Sequence, residues 1–202
     1  MFERVVRTSK ACCGLREAQE EAPEKAAKSI IKEVKETMET DNQPPLMRPP
    51  KPGEGLVVHE LIRNCAPLDL NSEYAYHLLC RHFASTCVIA ELESRIAGFI
   101  SGYIKPSDDQ TFFVWQVAVS PDFRKRGLGL SMLHWLADQT DCKQFETTIS
   151  PSNKASQSLF LRFAADRGLN VRRETFIESY ETEKGLHEEE ILFRFVPGQK
   201  LK

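Results

Sequence analysis

The chain has 202 residues, of which 41% are hydrophobic and 28% are charged, and its formal net charge is −2. This length accommodates one domain of usual size with an added segment, and the composition is that of an ordinary globular protein. The near-neutral charge gives no sign of nucleic-acid or anionic-membrane binding, and the sequence lacks the run of 18 apolar residues that would predict a membrane-spanning helix.

The N-terminal residues and the cysteines bear on the compartment. Residues 1–16 lack the apolar region of a secretory signal, although their basic character leaves an organelle transit peptide as an alternative. The 6 cysteines form no C-x-x-C pair and no regular framework. Together these features predict reduced thiols in a cytoplasmic protein.

The first 43 residues differ from the rest of the chain. Residues 17–40 are rich in Glu, Lys and Ala, and Pro23 limits the start of any helix there. A narrow apolar stripe with helical spacing comprises Ala27, Ile30, Ile31, Val34 and Met38. The sequence therefore predicts an N-terminal extension over 1–43, partly helical or disordered, followed by one domain over 44–202.

Within this domain, patterns of apolar residues predict seven strands and four helices. The predicted strands are 46–48, 86–92, 96–104, 112–119, 143–149, 170–176 and 190–196. The predicted helices are 53–65, 73–84, 127–139 and 152–167. Residues 177–189 read as a polar loop. A mixed order with one strand–helix–strand crossover indicates an α/β fold, with a mixed sheet and helices on both faces.

The most informative stretch is the strand, turn and helix over 112–139. Ser120-Pro121-Asp122 ends the strand, and the basic segment 124–129 contains two glycines before the helix begins. The first N–H groups of a helix lack intrahelical partners and lie at its positive end, so such a turn suits a phosphate group. A solvated basic turn is the alternative.

The turn matches one known phosphate motif and excludes two others. Only two of the three GxGxxG glycines are present, and Leu130 stands where a Walker lysine would follow. Arg124, Gly127 and Gly129 form R-x-x-G-x-G, which resembles the acetyl-CoA pyrophosphate loop of the GCN5-related N-acetyltransferases. In that superfamily the preceding strand pairs with the pantetheine arm and polarises the thioester carbonyl. The acetyl-CoA contacts that the resemblance implies are Gln116, Val117, Val119, Arg124, Lys125, Arg126, Gly127, Leu128, Gly129, Asn153 and Phe160.

Four further segments narrow the resemblance. They are CAPLDLNSEYAYHLLCRHFASTCVIAE (65–91), FVWQVAVSP (113–121), ETTISPSNKASQSLF (146–160) and HEEEILFR (187–194). Over roughly residues 46–196 the chain resembles the L-2,4-diaminobutyrate acetyltransferases of ectoine biosynthesis. The resemblance implies the acetyltransferase fold, with a mixed, mostly antiparallel central sheet and helices on both faces. It also implies acetyl transfer from acetyl-CoA to the 4-amino group of the diamine.

A diamine pocket needs acids together with hydrogen-bonding and aromatic groups. The substrate contacts that the resemblance implies are Asp69, Asn71, Tyr74, Trp115, Glu146, Thr147, Asn153, His187 and Glu190. Of these, Glu146, His187 and Glu190 are the candidate catalytic residues. Structural roles are the alternatives: turn and cap residues, core aromatics, an exposed strand glutamate and a solvated charge run.

One departure from the wider superfamily concerns the leaving thiolate. Many members carry a tyrosine that protonates the thiolate at the position of Phe160 here, so water or the amine proton must serve instead. The alternative functions are acetylation of another small amine or of a protein N-terminus, and a catalytically silent acyl-CoA-binding module. We expect a small-molecule substrate, no nucleic-acid, membrane or metal partner, and, by analogy, a homodimer.

Overall fold

The structure is a computed structural model, and it describes residues 44–66, 68–182 and 185–198. The predicted N-terminal extension lies outside the described residues, so the division of the chain after residue 43 stays a prediction. None of the described helices has the length and apolarity needed to cross a bilayer.

The described strands form a seven-stranded sheet and a separate two-stranded hairpin. The strands are β1 (Leu46–Arg48), β2 (Cys87–Leu92), β3 (Arg95–Lys105), β4 (Asp108–Val119), β5 (Gln144–Ile149), β6 (Leu169–Ile177), β7 (Tyr180–Thr182), β8 (Gly185–His187) and β9 (Glu190–Pro197). The helices are α1 (Gly55–Arg63), α2 (Glu73–His82), α3 (Leu128–Asp138) and α4 (Lys154–Asp166). The order across the large sheet is β1-β2-β3-β4-β5-β9-β6, and only the β4–β5 pair is parallel.

The predicted mixed sheet with helices on both faces is confirmed. Because side chains alternate along a strand, β2 sends Val88 and Ala90 to a core with α3 and α4, and Cys87 and Ile89 to a core with α1 and α2. Each helix therefore buries one apolar stripe against the sheet.

Local sequence explains where α2 and α4 begin. Ser72 precedes α2 and its side chain accepts a hydrogen bond from the N–H of Ala75. Asn153 precedes α4 and its side chain accepts one from the N–H of Ser156. Such caps satisfy N–H groups that a helix cannot pair internally.

The prediction of an irregular loop over 177–189 is wrong in part. Residues Tyr180–Thr182 and Gly185–His187 pair as the antiparallel hairpin β7–β8. These strands have three residues each and no apolar alternation, so the polar composition of the segment concealed them.

A bulge interrupts β4 near its middle. Ser101 pairs with Gln116, whereas the next residue on β3, Gly102, pairs with Val114, so Trp115 is an extra residue on β4. The insertion reverses the alternation, so Phe112 and Val114 face α3 and α4 whereas Gln116 and Ala118 face α1 and α2. A bulge of this kind re-aims side chains that a regular strand would send to the same face.

The parallel neighbours β4 and β5 stay together only over a short distance. They pair at Thr111–Gln144, Phe112–Phe145 and Phe113–Glu146, and no pairing with β5 follows over residues 114–119 of β4. One edge of β4 is therefore open where its bulge lies.

Candidate active site

A cleft of about 560 Å³ occupies the gap between β4 and β5. Its walls come from the loop between α1 and α2, the second half of β4, the end of β5, the first turns of α4 and the start of β9. The lining residues are Cys65, Ala66, Leu68, Asp69, Asn71, Trp115, Gln116, Val117, Ala118, Val119, Arg124, Thr148, Ile149, Ser150, Asn153, Ala155, Ser156, Leu159 and Glu190. Five elements of the fold thus meet at the place where the sheet opens.

The turn before α3 supplies an anion-binding end. Gly127 caps α3 with a left-handed φ of 76°, a conformation that glycine adopts without strain. Arg124 lines the cleft, and its Nε donates to the carbonyl of Val119 at 3.2 Å. The open N–H groups at the start of α3 and the Arg124 guanidinium suit a phosphate.

The other two cationic residues of this turn do not line the cleft. Lys125 has a left-handed φ of 64°, and neither it nor Arg126 is among the cleft-lining residues. Arg126 lies 5.3 Å from the ring centre of Phe123 and 3.9 Å from Glu93. Of the three predicted cationic contacts, the structure brings only Arg124 to the cleft.

Glu190 is the acid at the far end of the cleft. Burial raises the pKa of its carboxyl group, and the negative charges of Asp69 and Glu188 raise this pKa further. A hydrogen bond with Thr148 and the charge of His187 lower the pKa, but less than these effects raise it. A carboxylate with a raised pKa is a stronger base, as proton abstraction from an amine requires.

Glu146 stands apart from the cleft. Its side chain is 4% exposed, and its carboxylate accepts hydrogen bonds from Lys105 Nζ at 2.8 Å and Arg194 Nε at 2.6 Å. Burial raises the pKa of Glu146, but the hydrogen bonds and charges of the two cations lower it, and the net direction is down. This pairing argues against the catalytic role predicted for Glu146 and favours a structural one.

Three other predicted substrate contacts do not line the cleft. Tyr74 is 70% exposed on the first turn of α2. Thr147 is buried on the opposite face of β5 from Glu146, because it pairs with the core residue Phe193. His187 stacks on Tyr180 at 4.6 Å, and its Nδ1 is buried without a hydrogen-bond partner among the described residues.

Of the two cofactor contacts predicted at α4, one lines the cleft and the other lies in the core. Asn153 lines the cleft while its Oδ1 caps the helix. Phe160 is buried and stacks on Phe195 at 5.8 Å, outside the cleft lining. The aromatic ring at residue 160 therefore belongs to the core.

Sequence reasoning missed two residues that shape this site. Thr148 lines the cleft beside Glu190, and the buried Tyr76 hydroxyl contacts the loop that carries Asp69 and Asn71. Strand alternation was the available signal for Thr148, since residues 146 and 148 share a face. Helical spacing was the signal for Tyr76, which lies on the same buried face of α2 as Leu79.

The sequence of this chain is similar to those of known acetyltransferases. Residues 56–165 match the model of the acetyltransferase (GNAT) family. The chain is 41% identical over 155 residues to the L-2,4-diaminobutyric acid acetyltransferase of Bordetella parapertussis, covering 75% of this chain and 83% of that protein. The chain belongs to the L-2,4-diaminobutyric acid acetyltransferase family. The family member from Vibrio cholerae is 42% identical, with 75% and 89% of the two chains covered.

Solved structures agree with this family. Diaminobutyrate acetyltransferase EctA from Paenibacillus lautus, in complex with its substrate L-2,4-diaminobutyric acid and coenzyme A, superposes with a TM-score of 0.71 at 40% identity. The match covers 77% of this chain and 96% of that one. The ribosomal-protein-S18-alanine N-acetyltransferase from Escherichia coli, at 18% identity and a TM-score of 0.58, shares the fold. The family and fold predicted from sequence are confirmed.

Proposed function

We propose that the protein transfers the acetyl group of acetyl-CoA to the 4-amino group of L-2,4-diaminobutyrate, giving N4-acetyl-L-2,4-diaminobutyrate for ectoine biosynthesis. The observation that carries this proposal is the cleft between β4 and β5. Its lining includes Arg124, from the turn before α3, together with two acids, Asp69 and Glu190. Membership of the diaminobutyric acid acetyltransferase family supports the same substrates.

The open edge of β4 suits the acetyl-CoA chain. Residues 114–119 have main-chain groups that no strand pairs on the β5 side, and the amide groups of a pantetheine arm complement such an edge. Arg124 and the first amides of α3, around Gly127 and Gly129, then bind the pyrophosphate. Lys125 and Arg126 stay predicted contacts outside the cleft lining.

The acidic end suits the diamine. An alkylammonium has no lone pair with which to attack. Free amines of this kind have pKa values of about 10, so a base must remove a proton at neutral pH. Glu190 accepts this proton as the amine nitrogen bonds to the acetyl carbon and the carbon–sulfur bond breaks. Asp69, Asn71 and Trp115 hold the rest of the substrate, while Tyr74 and His187 stay predicted contacts.

The leaving thiolate needs a proton from a source other than residue 160. Phe160 has no hydroxyl group and is buried in the core. The sulfur receives this proton either from the acetylated nitrogen, which still carries a second one, or from a water molecule.

The proposal also includes a cytoplasmic location and a homodimeric assembly. A cytoplasmic location is supported by Cys65, Cys80, Cys87 and Cys142, which are all buried free thiols. A homodimer is supported by the exposed apolar side chains of Phe176 and Ile177 on the edge strand β6. Light scattering of the purified protein across a concentration series measures this assembly directly.

The experiment that tests the reaction is a comparison of amines. The protein is mixed with acetyl-CoA and L-2,4-diaminobutyrate, lysine, ornithine or an alanine-initiated peptide, and free CoA is measured. We expect turnover with diaminobutyrate to exceed the others by at least about a hundredfold in kcat/KM, and NMR to identify the 4-acetyl product. Turnover of the peptide alone would instead support a protein acetyltransferase, and acetyl-CoA binding without turnover a silent module.

A further inference from the structure

A buried hydrogen-bonded chain ties the loop between α1 and α2 to the bulge of β4. Gln116 Nε2 donates to the main-chain carbonyl of Asp69 at 2.7 Å. Its Oε1 accepts from the Tyr76 hydroxyl at 3.3 Å, and that hydroxyl accepts from the N–H of Asn71 at 3.1 Å. Both polar ends of Gln116 and both functions of the hydroxyl are thereby used.

The two side chains in this chain are shielded from solvent. Tyr76 is 0% exposed and Gln116 is 4% exposed. A hydrogen bond whose partners are buried is costly to break because neither group regains water. Tyr76 also packs against the ring of His59 at 5.5 Å, which fixes the direction of its hydroxyl.

What the chain holds is a short stretch of main chain at the cleft. Asp69 and Asn71 line the cleft, and backbone hydrogen bonds flank this stretch on both sides, from Leu68 N–H to Cys65 and from Ala75 N–H to Ser72. Gln116 is adjacent to Trp115, the extra residue of the bulge. The wall that carries Asp69 is thus fixed to the strand along which the thioester lies.

The geometry points to Tyr76 and Gln116 as positioning residues that set the distance between the diamine and the thioester through the loop 69–71. This inference rests on the proposed function, because it requires Asp69 to contact the diamine. Neither side chain takes part in proton transfer. Their effect is to restrict the diamine to the orientation in which its 4-amino group reaches the acetyl carbon.

Tyr76→Phe tests the inference with little change in packing, since it removes only the hydroxyl oxygen. We expect KM for diaminobutyrate to rise about tenfold, which corresponds to about 1.4 kcal/mol. We also expect the affinity for acetyl-CoA, measured by calorimetry, to stay within twofold. NMR of the products should show 2-acetyl-diaminobutyrate beside the 4-acetyl isomer.

Gln116→Met and the double variant test whether the two residues act through one contact. If they do, the double variant should raise KM by no more than about Gln116→Met alone. The matched control is Tyr103→Phe on β3, whose ring stacks on Phe113 at 5.2 Å and whose hydroxyl has no hydrogen bond among the described residues.

The outcomes separate the inference from the proposed function. A lower Tm for Tyr76→Phe with unchanged KM and unchanged isomer ratio would show a purely structural tyrosine and overturn the inference. An equal KM change in Tyr103→Phe would overturn it as well. Wild-type protein that does not acetylate diaminobutyrate at all would refute the proposed function, independently of these variants.

Discussion

The proposed role of Glu190 as the base carries a cost in stability. Because burial raises its pKa, the fold favours the protonated form. Its contribution to the free energy of unfolding is therefore fully present below the ordinary glutamate pKa and is lost as the pH rises through the raised, folded-state pKa. Ionisation of this carboxyl group as the pH rises therefore costs stability, and the proposed role of Glu190 as the base requires the ionised form.

Glu190→Gln should lower activity and raise stability at neutral pH. At neutral pH we expect kcat/KM for diaminobutyrate to fall about a hundredfold, while the Tm rises because a buried charge is gone. At pH 4 the Tm difference should vanish. Activity assays and thermal melts between pH 4 and 7 measure both effects, with the exposed Glu181→Gln on β7 as control. A lower Tm at neutral pH would show that Glu190 is stabilised as an anion.

Glu146 presents the opposite electrostatic case. The net lowering of its pKa means that its stabilisation is present above the ordinary glutamate pKa and is lost as the pH falls through the lowered one. Glu146→Gln removes the buried carboxylate that Lys105 and Arg194 share, so Lys105 loses this ion pair while Arg194 keeps its pair with the exposed Glu174. We expect a loss of about 1–3 kcal/mol in the free energy of unfolding.

Glu174→Gln is the matched control for Glu146. Glu174 contacts the same Arg194 at 3.0 Å, but its side chain is 57% exposed, so we expect a loss below about 1 kcal/mol. Urea unfolding at neutral pH measures both variants. Equal losses, or a fall in kcat for Glu146→Gln with no loss of stability, would return Glu146 to the list of catalytic candidates.

At the scale of elements, the turn into α3 carries the cofactor prediction. A Cβ at Gly129 would lie 3.5 Å from Leu159, which is ordinary contact, so a methyl group fits sterically. Gly129→Asp places a negative charge in the first turn of α3, where we propose that the pyrophosphate binds, and we expect acetyl-CoA affinity to fall at least about tenfold.

Gly129→Ala separates charge from size at the same position. It adds one methyl group, so its loss of acetyl-CoA affinity should be clearly smaller than that of Gly129→Asp. Calorimetry with acetyl-CoA on both folded variants provides the comparison. An unchanged affinity in Gly129→Asp would remove this turn from the binding site.

Most elements could be predicted from sequence because their signals are local. The strand over residues 112–119 and the glycine turn after it follow from side-chain type and spacing. The bulge at Trp115 could not be predicted, since it depends on the register with β3. The sequence places Gln116 on the strand whose main chain is predicted to pair with the pantetheine arm. The contacts of its side chain with Asp69 and Tyr76 could not be predicted, because they depend on the same register.

At the scale of the whole molecule, the described residues that line the cleft all lie between Cys65 and Glu190, and the motifs that predict the site all lie after residue 43. A chain that begins at Gln43 should therefore keep kcat and both KM values within about twofold. Steady-state kinetics of the shortened and full-length proteins check this. A large fall in kcat with an unchanged Tm would assign residues 1–42 to the reaction.

Only three residue pairs join β4 to β5, so ligand binding at the open edge of β4 should affect how long the folded protein persists. A ligand that fills the open edge of β4 supplies the hydrogen bonds that the sheet lacks there, so its binding free energy adds to that of folding. At a ligand concentration 100 times the Kd this amounts to about 2.7 kcal/mol. Because proteases act on unfolded chains, we expect the abundance of the protein to depend on the acyl donor pool as well as on synthesis.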